Sequence, residues 1–314
     1  MYLNHVSHYL PKGEVPNEYF SEVNGLSDEW IVERTGIHIR RKAGEGENTH
    51  TMAVEAVKAG LAGLPYDPAD IDLIVGATYT PHDTIFTLGH AIQNYMDISG
   101  IPVLTVSTAC SSLINAVEVV EGYFAMGKAT KALVVVSEHN TAYNDETDTK
   151  AGHLWGDGAA ALFISKERQH EEDFEIRDVI TGGAGNVGKA HDSVTLKPVV
   201  GGIIMPNGRD VFINACTYMS KVTEDITSRN GMTIEDIDFL IPHQANARIT
   251  KKVAENLNLP EDKAVSNVQY LGNTGCAGCA IALSEKLPDL KKGDRIVMTV
   301  FGGGYSYGAM LLQV

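Results

Sequence analysis

Three side chains that can do chemistry each follow a short apolar or glycine-rich segment: Cys110, His243 and Asn273. Cys110 lies among small residues at positions 107–112, directly before an amphipathic helix. A helix start presents free N–H groups and the positive end of the helix dipole, which favour thiolate over thiol. The pattern indicates a nucleophilic cysteine, although a buried structural cysteine is the alternative for this residue type.

A histidine, an asparagine and a run of glycines supply groups that a nucleophilic cysteine would need. His243 ends an apolar strand, and Asn273 lies between two glycines, in the place that Cys110 takes in the first part of the chain. Gly302, Gly303 and Gly304 end another strand, where glycines expose backbone N–H groups and permit close approach. The run therefore predicts an oxyanion hole, with a simple tight turn as the alternative.

The elements that must position these residues are short, continuously apolar strands that alternate with helical patterns. Such runs are typical of strands covered on both faces, and the alternation predicts an α/β fold with substantially parallel sheets. Ligands gather at the carboxyl ends of the strands in such folds, which places the candidate residues around one cleft. The predicted strands are residues 73–75, 103–106, 133–136, 239–241 and 296–300.

The chain also repeats itself weakly. Residues 70–74 resemble residues 236–240 at an offset of 166, and residues 128–137 resemble residues 291–300 at an offset of 163. Within each half, a strand, a cluster of small residues and a helix lie between the two repeated segments: the cluster is residues 107–112 in the first half and residues 272–280 in the second. We therefore expect two similar α/β halves, residues 1–168 and 169–314, joined at the charged stretch 166–173.

Composition excludes several classes of protein. The 314 residues carry a net charge of −15, which repels phosphate backbones and argues against nucleic-acid binding. No apolar run approaches the roughly 20 residues of a membrane span, and the first residues lack a signal-peptide pattern. We therefore expect a cytoplasmic protein that acts neither on nucleic acid nor at a membrane.

The four cysteines are expected to be free thiols, because the cytoplasm is reducing. Cys276 and Cys279 have a metal-site spacing, but a zinc site needs about four ligands and no second pair is present. Their small neighbours favour tight helix packing. The sequence leaves their individual roles open.

Six segments of the chain form a recognisable set: Ser27-Asp-Glu-Trp30-Ile-Val-Glu-Arg34-Thr-Gly36-Ile, Thr108-Ala-Cys110, Trp155-Gly-Asp-Gly158-Ala-Ala, His243-Gln-Ala-Asn246, Gly272-Asn273-Thr and Phe301-Gly-Gly-Gly304. In this order and spacing they resemble the β-ketoacyl-acyl-carrier-protein synthase III family, the initiating ketosynthases of the thiolase superfamily. The resemblance runs from end to end. It implies a duplicated thiolase-like α/β fold with α/β/α/β/α layers, and a homodimer.

The resemblance also implies a reaction: decarboxylative condensation of an acyl-coenzyme A primer with malonyl-acyl-carrier protein at the start of fatty-acid synthesis. Cys110 would carry the acyl group, and His243 and Asn273 would hold the malonyl thioester carbonyl and the enolate formed as carbon dioxide leaves. The backbone N–H groups of Cys110 and Gly303 would form the oxyanion hole. Coenzyme A and carrier-protein thioesters are substrates in this scheme, and neither a cofactor nor a metal is required.

The same resemblance implies roles for the residues around the substrate entrance and for one loop. Trp30, Arg34 and Asn246 would bind coenzyme A. The loop at residues 79–89, with Ile85 and Phe86, would cross the dimer and close the acyl pocket of the other subunit.

Three cations on one helix face would form a docking surface for the acidic acyl carrier protein: Arg248, Lys251 and Lys252. A solvated helix face is the alternative interpretation of this cluster.

Some positions depart from the family pattern. Ser111 and Ser112 follow the nucleophile where small alanine or glycine-type residues are usual, and His38 replaces an arginine near the coenzyme A phosphates. The later basic position of that site aligns with Thr149 or Lys150. These changes leave the chemistry intact and leave the primer open, so a ketosynthase of secondary metabolism that uses longer partners, for example a dialkylresorcinol-forming one, is the alternative.

Two other classes fit less well. A papain-type hydrolase also has a cysteine at a helix start, but it lacks duplicated halves and a triple-glycine strand end. A non-catalytic subunit of a heterodimer would be expected to lose the nucleophile, which is present here. We expect Asp157, between two glycines, to shape a turn beneath the site and to contribute to stability rather than catalysis.

Overall fold

The structure, a computed structural model, describes residues 1–197, 199 and 201–314. Its strands are β1 (Tyr2–Tyr9), β2 (Gly13–Pro16), β3 (Ile39–Lys42), β4 (Leu73–Ala77), β5 (Val103–Val106), β6 (Lys131–His139), β7 (Asp157–Ser165), β8 (Phe174–Gly183), β9 (Thr195–Leu196), β10 (Ile203–Ile204), β11 (Phe239–Pro242), β12 (Arg295–Gly302) and β13 (Ser306–Gln313). Its α-helices are α1 (Asn17–Val23), α2 (Asp28–Thr35), α3 (Thr49–Leu61), α4 (Leu88–Met96), α5 (Ser112–Ala125), α6 (Gly208–Arg229), α7 (Ala247–Asn256), α8 (Val268–Leu271) and α9 (Gly278–Lys286). All five strands predicted from the sequence are present.

Nine strands are hydrogen-bonded into one mixed sheet in the order β11-β12-β13-β8-β1-β7-β6-β4-β5. Among the described strands of this sheet, β4 pairs in parallel with β5 and β6, and β11 pairs in parallel with β12. The sheet is therefore less parallel than we expected from the sequence. The reason is that antiparallel strands covered on both faces show the same continuous apolar run, as the fully buried β7 does.

The two ends of this sheet have equivalent topologies. Counted outward from the centre, β1-β7-β6-β4-β5 corresponds to β8-β13-β12-β11. Ala264 then bridges Leu240 of β11 in parallel, where β5 pairs with β4 in the first half. The predicted duplication is confirmed. We propose that residues 1–168 and 169–314 are the two halves, with the boundary in the connection between β7 and β8.

Helices fill the space between the halves and cover both outsides. Apolar residues of α5 and α9 share one core with strands from both halves, among them Leu113, Val117, Ile281, Val134 and Met298. Helices α3 and α4 pack on the outside of the first half, and α6 and α7 on the outside of the second. The two halves of the sheet thus form two β layers, with α5 and α9 between them and the other helices outside, and the predicted α/β/α/β/α layering is confirmed. Among the described residues, no helix combines the length and the apolar character needed to cross a bilayer.

The central helices and the neighbouring strand ends position the candidate residues. Cys110 lies between β5 and α5, and Asn273 lies in the turn that precedes α9. His243 directly follows β11, and Gly303 directly follows β12. Each half therefore brings its candidate residues to the carboxyl ends of equivalent strands.

Candidate active site

The predicted catalytic residues meet in the lining of one cavity of about 330 Å³. Cys110, His243, Asn273 and Gly303 all line it, and Asn246 lies in its wall. The rest of the lining is largely apolar, with Leu196, Ile203, Met205, Val211, Phe212 and Met219 among its members. An apolar cavity with a few convergent polar groups is the usual form of a small-molecule site.

The turn that carries the nucleophile is tightly wound. Ala109 has a φ of 51°, in the left-handed region that non-glycine residues rarely adopt. The Ser112 backbone N–H donates to the Ala109 carbonyl at 3.1 Å, and the Ser112 hydroxyl accepts from the Thr108 backbone N–H at 2.8 Å. These bonds hold Cys110 at the tip of the turn, directly before α5 begins.

Ser111, which departs from the usual family pattern, also serves this turn. Its hydroxyl donates to the Thr108 carbonyl at 2.7 Å and lies 2.6 Å from the Ser306 hydroxyl at the start of β13. Ser306 donates to the same carbonyl at 2.8 Å. Ser111 therefore links the turn to the second half of the protein.

The environment of Cys110 opposes ionisation of its thiol. Burial, together with the nearby Glu138 carboxylate, raises the pKa of Cys110 to about 12, and a contact with Tyr79 acts in the opposite direction. In the resting protein, burial and Glu138 thus act against the thiolate that a helix start favours.

His243 is neutral over the physiological pH range. Its backbone N–H donates to the Thr299 carbonyl at 2.8 Å, and its side chain is buried against the cavity. Burial lowers the pKa of His243 to about 4. A neutral imidazole can donate one hydrogen bond to a developing enolate oxygen without first losing a proton.

The low pKa of His243 predicts the pH dependence of decarboxylation. A histidine with a pKa of about 4 stays neutral as the pH falls through 6.5, where a free histidine would become charged. We expect the rate of malonyl-thioester decarboxylation to change less than about twofold between about pH 8 and pH 5.5. Carbon dioxide release from wild-type enzyme measures this rate. Because burial raises the pKa of Glu138 to about 7, the profile is also measured in Glu138→Gln, and a break near pH 6.5 that persists in this variant would contradict the assignment.

Asn273 is oriented by its neighbours. Its Oδ1 accepts a hydrogen bond from the Gly275 backbone N–H at 3.0 Å. Its carbonyl accepts from the Gly156 backbone N–H at 3.0 Å and from the Asn140 side-chain amide at 3.2 Å. Because the oxygen of the side-chain amide is occupied, the Nδ2 group is left to donate, and Asn273 lines the cavity as a neutral donor.

The glycine run lies against the nucleophile turn. A Cβ atom on Gly302 would be 2.9 Å from both the Cys110 nitrogen and the Thr108 oxygen, and 3.0 Å from the Ser111 nitrogen. All three are backbone atoms, so none could move without moving the turn. Only glycine allows β12 to approach Cys110 this closely.

Replacing Gly302 by Ala is therefore expected to displace the nucleophile turn. A displacement of about 1 Å typically lowers a rate about 100-fold, and we expect that loss in acylation of Cys110. Stopped-flow acylation with wild-type enzyme as reference measures the effect. Gly122→Ala is the matched control, because a Cβ atom there meets nothing within 4 Å. Equal acylation rates in the two variants would contradict the steric argument.

The residues expected to bind coenzyme A lie at one side of the cavity. The Arg34 guanidinium stacks over the Trp30 ring at 4.3 Å. Trp30 also lines a shallow recess that shares Met205 and Gly208 with the cavity. Thr149 and Lys150, one of which aligns with the later basic position of the coenzyme A site, line the same recess.

Asn246 connects this recess to α7. Its side-chain amide donates to the Arg34 carbonyl at 3.1 Å, and its Oδ1 accepts from the Arg248 backbone N–H at 2.8 Å. Asn246 therefore caps α7 while it lines the cavity. His38 is exposed, outside both linings.

The predicted docking face on α7 is partly neutralised. Lys251 lies 3.9 Å from Glu261, and Lys252 lies 3.1 Å from Glu255. Arg248 is exposed, with its guanidinium 5.9 Å from the centre of the Phe212 ring. Among the described residues, Arg248 is the member of the three that makes no ion pair.

Ile85 and Phe86 lie away from the cavity of their own chain. Their exposed fractions are 87% and 47%, high values for large apolar side chains. Phe86 packs against the rings of His50 and His90. Their predicted role in the partner's pocket remains a prediction, and such exposure is typical of residues that meet another subunit.

Sequence reasoning missed Glu138 and Tyr79 as parts of the site. Glu138 follows four apolar residues and a serine in β6, and it is fully buried. Tyr79 follows β4 and lines the cavity. The signal that could have found Glu138 is a charged residue at the carboxyl end of a fully buried strand, because buried carboxylates often mark functional sites.

Cys276 and Cys279 are buried against the central core. The Cys276 thiol donates to Glu138 at 2.9 Å, and a Cβ atom on Gly278 would be 3.0 Å from Gln244. This close approach agrees with the interpretation of tight helix packing. Within the described part of the chain, no group of three His, Cys, Asp or Glu side chains is placed to hold a metal ion.

Asp157 is fully buried at the start of β7. Its carboxylate accepts hydrogen bonds from the Ala43 backbone N–H at 2.8 Å and from the backbone N–H and hydroxyl of Thr141 at 2.9 and 2.6 Å. These partners lie in two separate connections. The contacts support a structural role for Asp157.

Together, the duplicated fold and the cavity are those of an acyltransferase of the thiolase-like class. Two family models match the chain: 3-oxoacyl-[acyl-carrier-protein] synthase III at residues 104–185 and its C-terminal region at residues 227–314. The first match contains Cys110, and the second contains His243, Asn273 and Gly303.

Full-length relatives agree. The β-ketoacyl-[acyl-carrier-protein] synthase III of Aquifex aeolicus is 34% identical over 307 residues, 97% of this chain and 96% of the relative. That of Brucella abortus is 34% identical over 312 residues, with the same coverage. The crystal structure of the Aquifex aeolicus 3-oxoacyl-[acyl-carrier-protein] synthase III superposes with a TM-score of 0.93 at 33% identity, covering 100% of this chain and 99% of the other. The chain belongs to the β-ketoacyl-acyl-carrier-protein synthase III family.

Proposed function

We propose that this enzyme condenses an acyl-coenzyme A primer with malonyl-acyl-carrier protein to give a β-ketoacyl-acyl-carrier protein, initiating fatty-acid synthesis. The observation that carries the proposal is the convergence of Cys110, His243 and Asn273 on one cavity. A nucleophile beside two neutral hydrogen-bond donors suits acyl transfer followed by decarboxylation. Family membership supports the same reaction.

The first half-reaction transfers the acyl group to Cys110. The sulfur attacks the thioester carbonyl, a new carbon–sulfur bond forms, and the bond to the coenzyme A sulfur breaks. The proton that leaves Cys110 ends on the coenzyme A thiol. The backbone N–H groups of Cys110 and Gly303 would hold the oxyanion of the tetrahedral intermediate.

The second half-reaction forms the carbon–carbon bond. The malonyl group loses carbon dioxide, and the electron pair of the broken bond passes into an enolate whose oxygen His243 and Asn273 hold by hydrogen bonds. The enolate carbon attacks the acyl carbonyl on Cys110. The carbon–sulfur bond breaks, and the released Cys110 thiolate takes up one proton.

The substrates would enter past the recess beside Trp30. Stacking of Arg34 on Trp30 offers an aromatic and cationic platform suited to a nucleotide, and Asn246 offers polar contacts deeper in the cavity. A second copy of this chain would supply Ile85 and Phe86 to close the acyl pocket. We place the enzyme in the cytoplasm, where its free thiols stay reduced.

Docking of the carrier protein on α7 can be tested by charge reversal at Arg248. We expect Arg248→Glu to lower kcat/KM for malonyl-carrier protein about tenfold, with a smaller change for malonyl-coenzyme A, because steering depends on local charge. Lys292→Glu is the matched control, since it changes the net charge equally at an exposed site between α9 and β12. Equal kcat/KM values for Arg248→Glu and wild type would contradict docking on α7.

The reaction itself is tested by reconstitution. Purified enzyme is mixed with acetyl-coenzyme A and malonyl-carrier protein, and the mass of the carrier-protein product is measured. Appearance of acetoacetyl-carrier protein supports the proposal. Condensation with medium or long acyl primers only would indicate a ketosynthase of specialised metabolism. Carbon dioxide release without any condensed product would contradict the proposed reaction.

A further inference from the structure

The Tyr79 side chain brings a hydroxyl group to the nucleophile. Tyr79 follows β4 and lines the cavity together with Cys110. Its hydroxyl is buried and makes no hydrogen bond of ordinary geometry with any described residue. It lines the same cavity as the Cys110 thiol, and it lowers the pKa of that thiol. A buried hydroxyl without a partner costs free energy, which suggests that a ligand or reaction state supplies the partner.

The position of this hydroxyl is fixed from two sides. On one side, a Cβ atom on Gly275 would be 2.5 Å from the Tyr79 hydroxyl, so the turn after Asn273 touches the ring directly. On the other side, the Tyr79 backbone N–H donates to the buried Glu138 carboxylate at 3.2 Å. The Tyr79 ring is therefore held against the Asn273 turn, and its backbone is held by Glu138.

Glu138 anchors the whole segment that carries Tyr79. Its carboxylate accepts from the Thr78 hydroxyl at 3.0 Å, from the Thr80 backbone N–H at 3.1 Å and from the Cys276 thiol at 2.9 Å. These donors come from both halves of the protein. Rigid support of this kind holds a catalytic side chain in one geometry.

The Cys110 sulfur needs such a donor. The titratable groups around it are Tyr79, Glu138, Cys276, Cys279 and His243. Glu138 raises the pKa of Cys110, and His243 is neutral. The pKa of Tyr79 is raised well above its ordinary value by burial and by neighbouring thiol and carboxyl groups, so its hydroxyl keeps its proton and can donate a hydrogen bond.

We infer that Tyr79 is a further catalytic residue, whose hydroxyl donates a hydrogen bond to the Cys110 sulfur whenever that sulfur carries negative charge. This role rests on the proposed function. Charge develops on the sulfur before it attacks the primer, and again when it leaves the β-ketoacyl product. Tyr79 keeps its own proton in both steps, and the proton lost by Cys110 goes to coenzyme A.

Tyr79→Phe tests this role, because it removes the hydroxyl and keeps the ring. Hydrogen bonds to charged groups are among the strong ones, so we expect acylation of Cys110 by acyl-coenzyme A to slow about 10- to 100-fold. Alkylation by iodoacetamide should slow by a similar factor at each pH between about 7 and 9, since both reactions need the thiolate. The melting temperature should not fall, because the hydroxyl makes no bond in the resting protein.

Tyr66→Phe is the matched control. The Tyr66 hydroxyl is also buried without a partner among the described residues, but it lies outside the cavity. Its removal should leave both rates unchanged. Wild-type acylation and alkylation rates in Tyr79→Phe at every pH would overturn the inference.

The alkylation experiment needs no acyl substrate, so it separates two failures. If wild-type Cys110 accepts no acyl group from any thioester, the proposed function fails. If wild type is acylated and alkylated normally and Tyr79→Phe matches it in both reactions, only the role of Tyr79 fails.

Discussion

Replacement of Cys110 by Ala is expected to lower condensation to background, a loss of at least about 10,000-fold, because Cys110 supplies the thiol among the described residues that line the cavity. The same variant should still release carbon dioxide from malonyl-carrier protein. His243 and Asn273 come from other elements than Cys110, and the substitution leaves both in place. The measurement is parallel assay of condensed product and carbon dioxide.

Cys216→Ala is the matched control for this prediction. Cys216 is buried in α6 outside the cavity lining, so its loss should leave both half-reactions near wild-type rates. Condensation that persists in Cys110→Ala would contradict the assignment of the nucleophile. Loss of carbon dioxide release in that variant would contradict the independence of the two half-reactions.

Asn273→Asp is expected to have the opposite pattern. The substitution keeps the shape of the side chain but replaces its N–H donor by an oxygen and places negative charge where the enolate forms. Removing one such donor typically costs 100- to 1,000-fold in kcat, and the added charge repels the enolate, so we expect at least about a 1,000-fold loss of decarboxylation. Acylation of Cys110 should fall less than about tenfold, because Asn273 is not needed for the first half-reaction.

Single-turnover acylation and carbon dioxide release measure the two rates of Asn273→Asp separately. Asn94→Asp introduces the same chemical change at an exposed position on α4 and serves as the control. Equal losses in both half-reactions would indicate general damage to the cavity. Unchanged decarboxylation would contradict the role of Asn273 as a donor.

The positions of the catalytic residues were predictable because each follows a recognisable segment. Cys110 and His243 follow apolar strands, and Asn273 repeats the place of Cys110 in the second half. The carboxyl ends of equivalent strands meet in a duplicated fold, so three residues far apart in sequence share one cavity. The weak internal repeat was therefore enough to predict that these residues meet, although a sequence shows no contacts directly.

Pairing direction and ionisation were not predictable in the same way. A strand buried on both faces is apolar whether its neighbours are parallel or antiparallel, so β7 gave no signal of its antiparallel pairing. The pKa of Cys110 depends on burial and on Glu138, which is 28 positions away in the sequence. The sequence pattern around Cys110 contains no information about a carboxylate so far away along the chain, so its effect on the pKa could not be predicted.

The surface of α7 shows a related limit. Spacing alone places Arg248, Lys251 and Lys252 on one helical face. The partner of Lys251, however, is Glu261, which lies beyond the end of α7. Long-range ion pairs of this kind are decided by the path of the chain after the helix.

The central claim, that Cys110 accepts the primer, is tested most directly by intact-protein mass spectrometry. Wild-type enzyme and Cys110→Ala are each mixed with a panel of acyl-coenzyme A thioesters of increasing chain length, and malonyl-carrier protein is then added. The account predicts one acyl adduct on wild-type enzyme, none on the variant, and disappearance of the adduct as β-ketoacyl-carrier protein forms. Failure of every thioester to label wild-type enzyme, or equal labelling of both proteins, would contradict it.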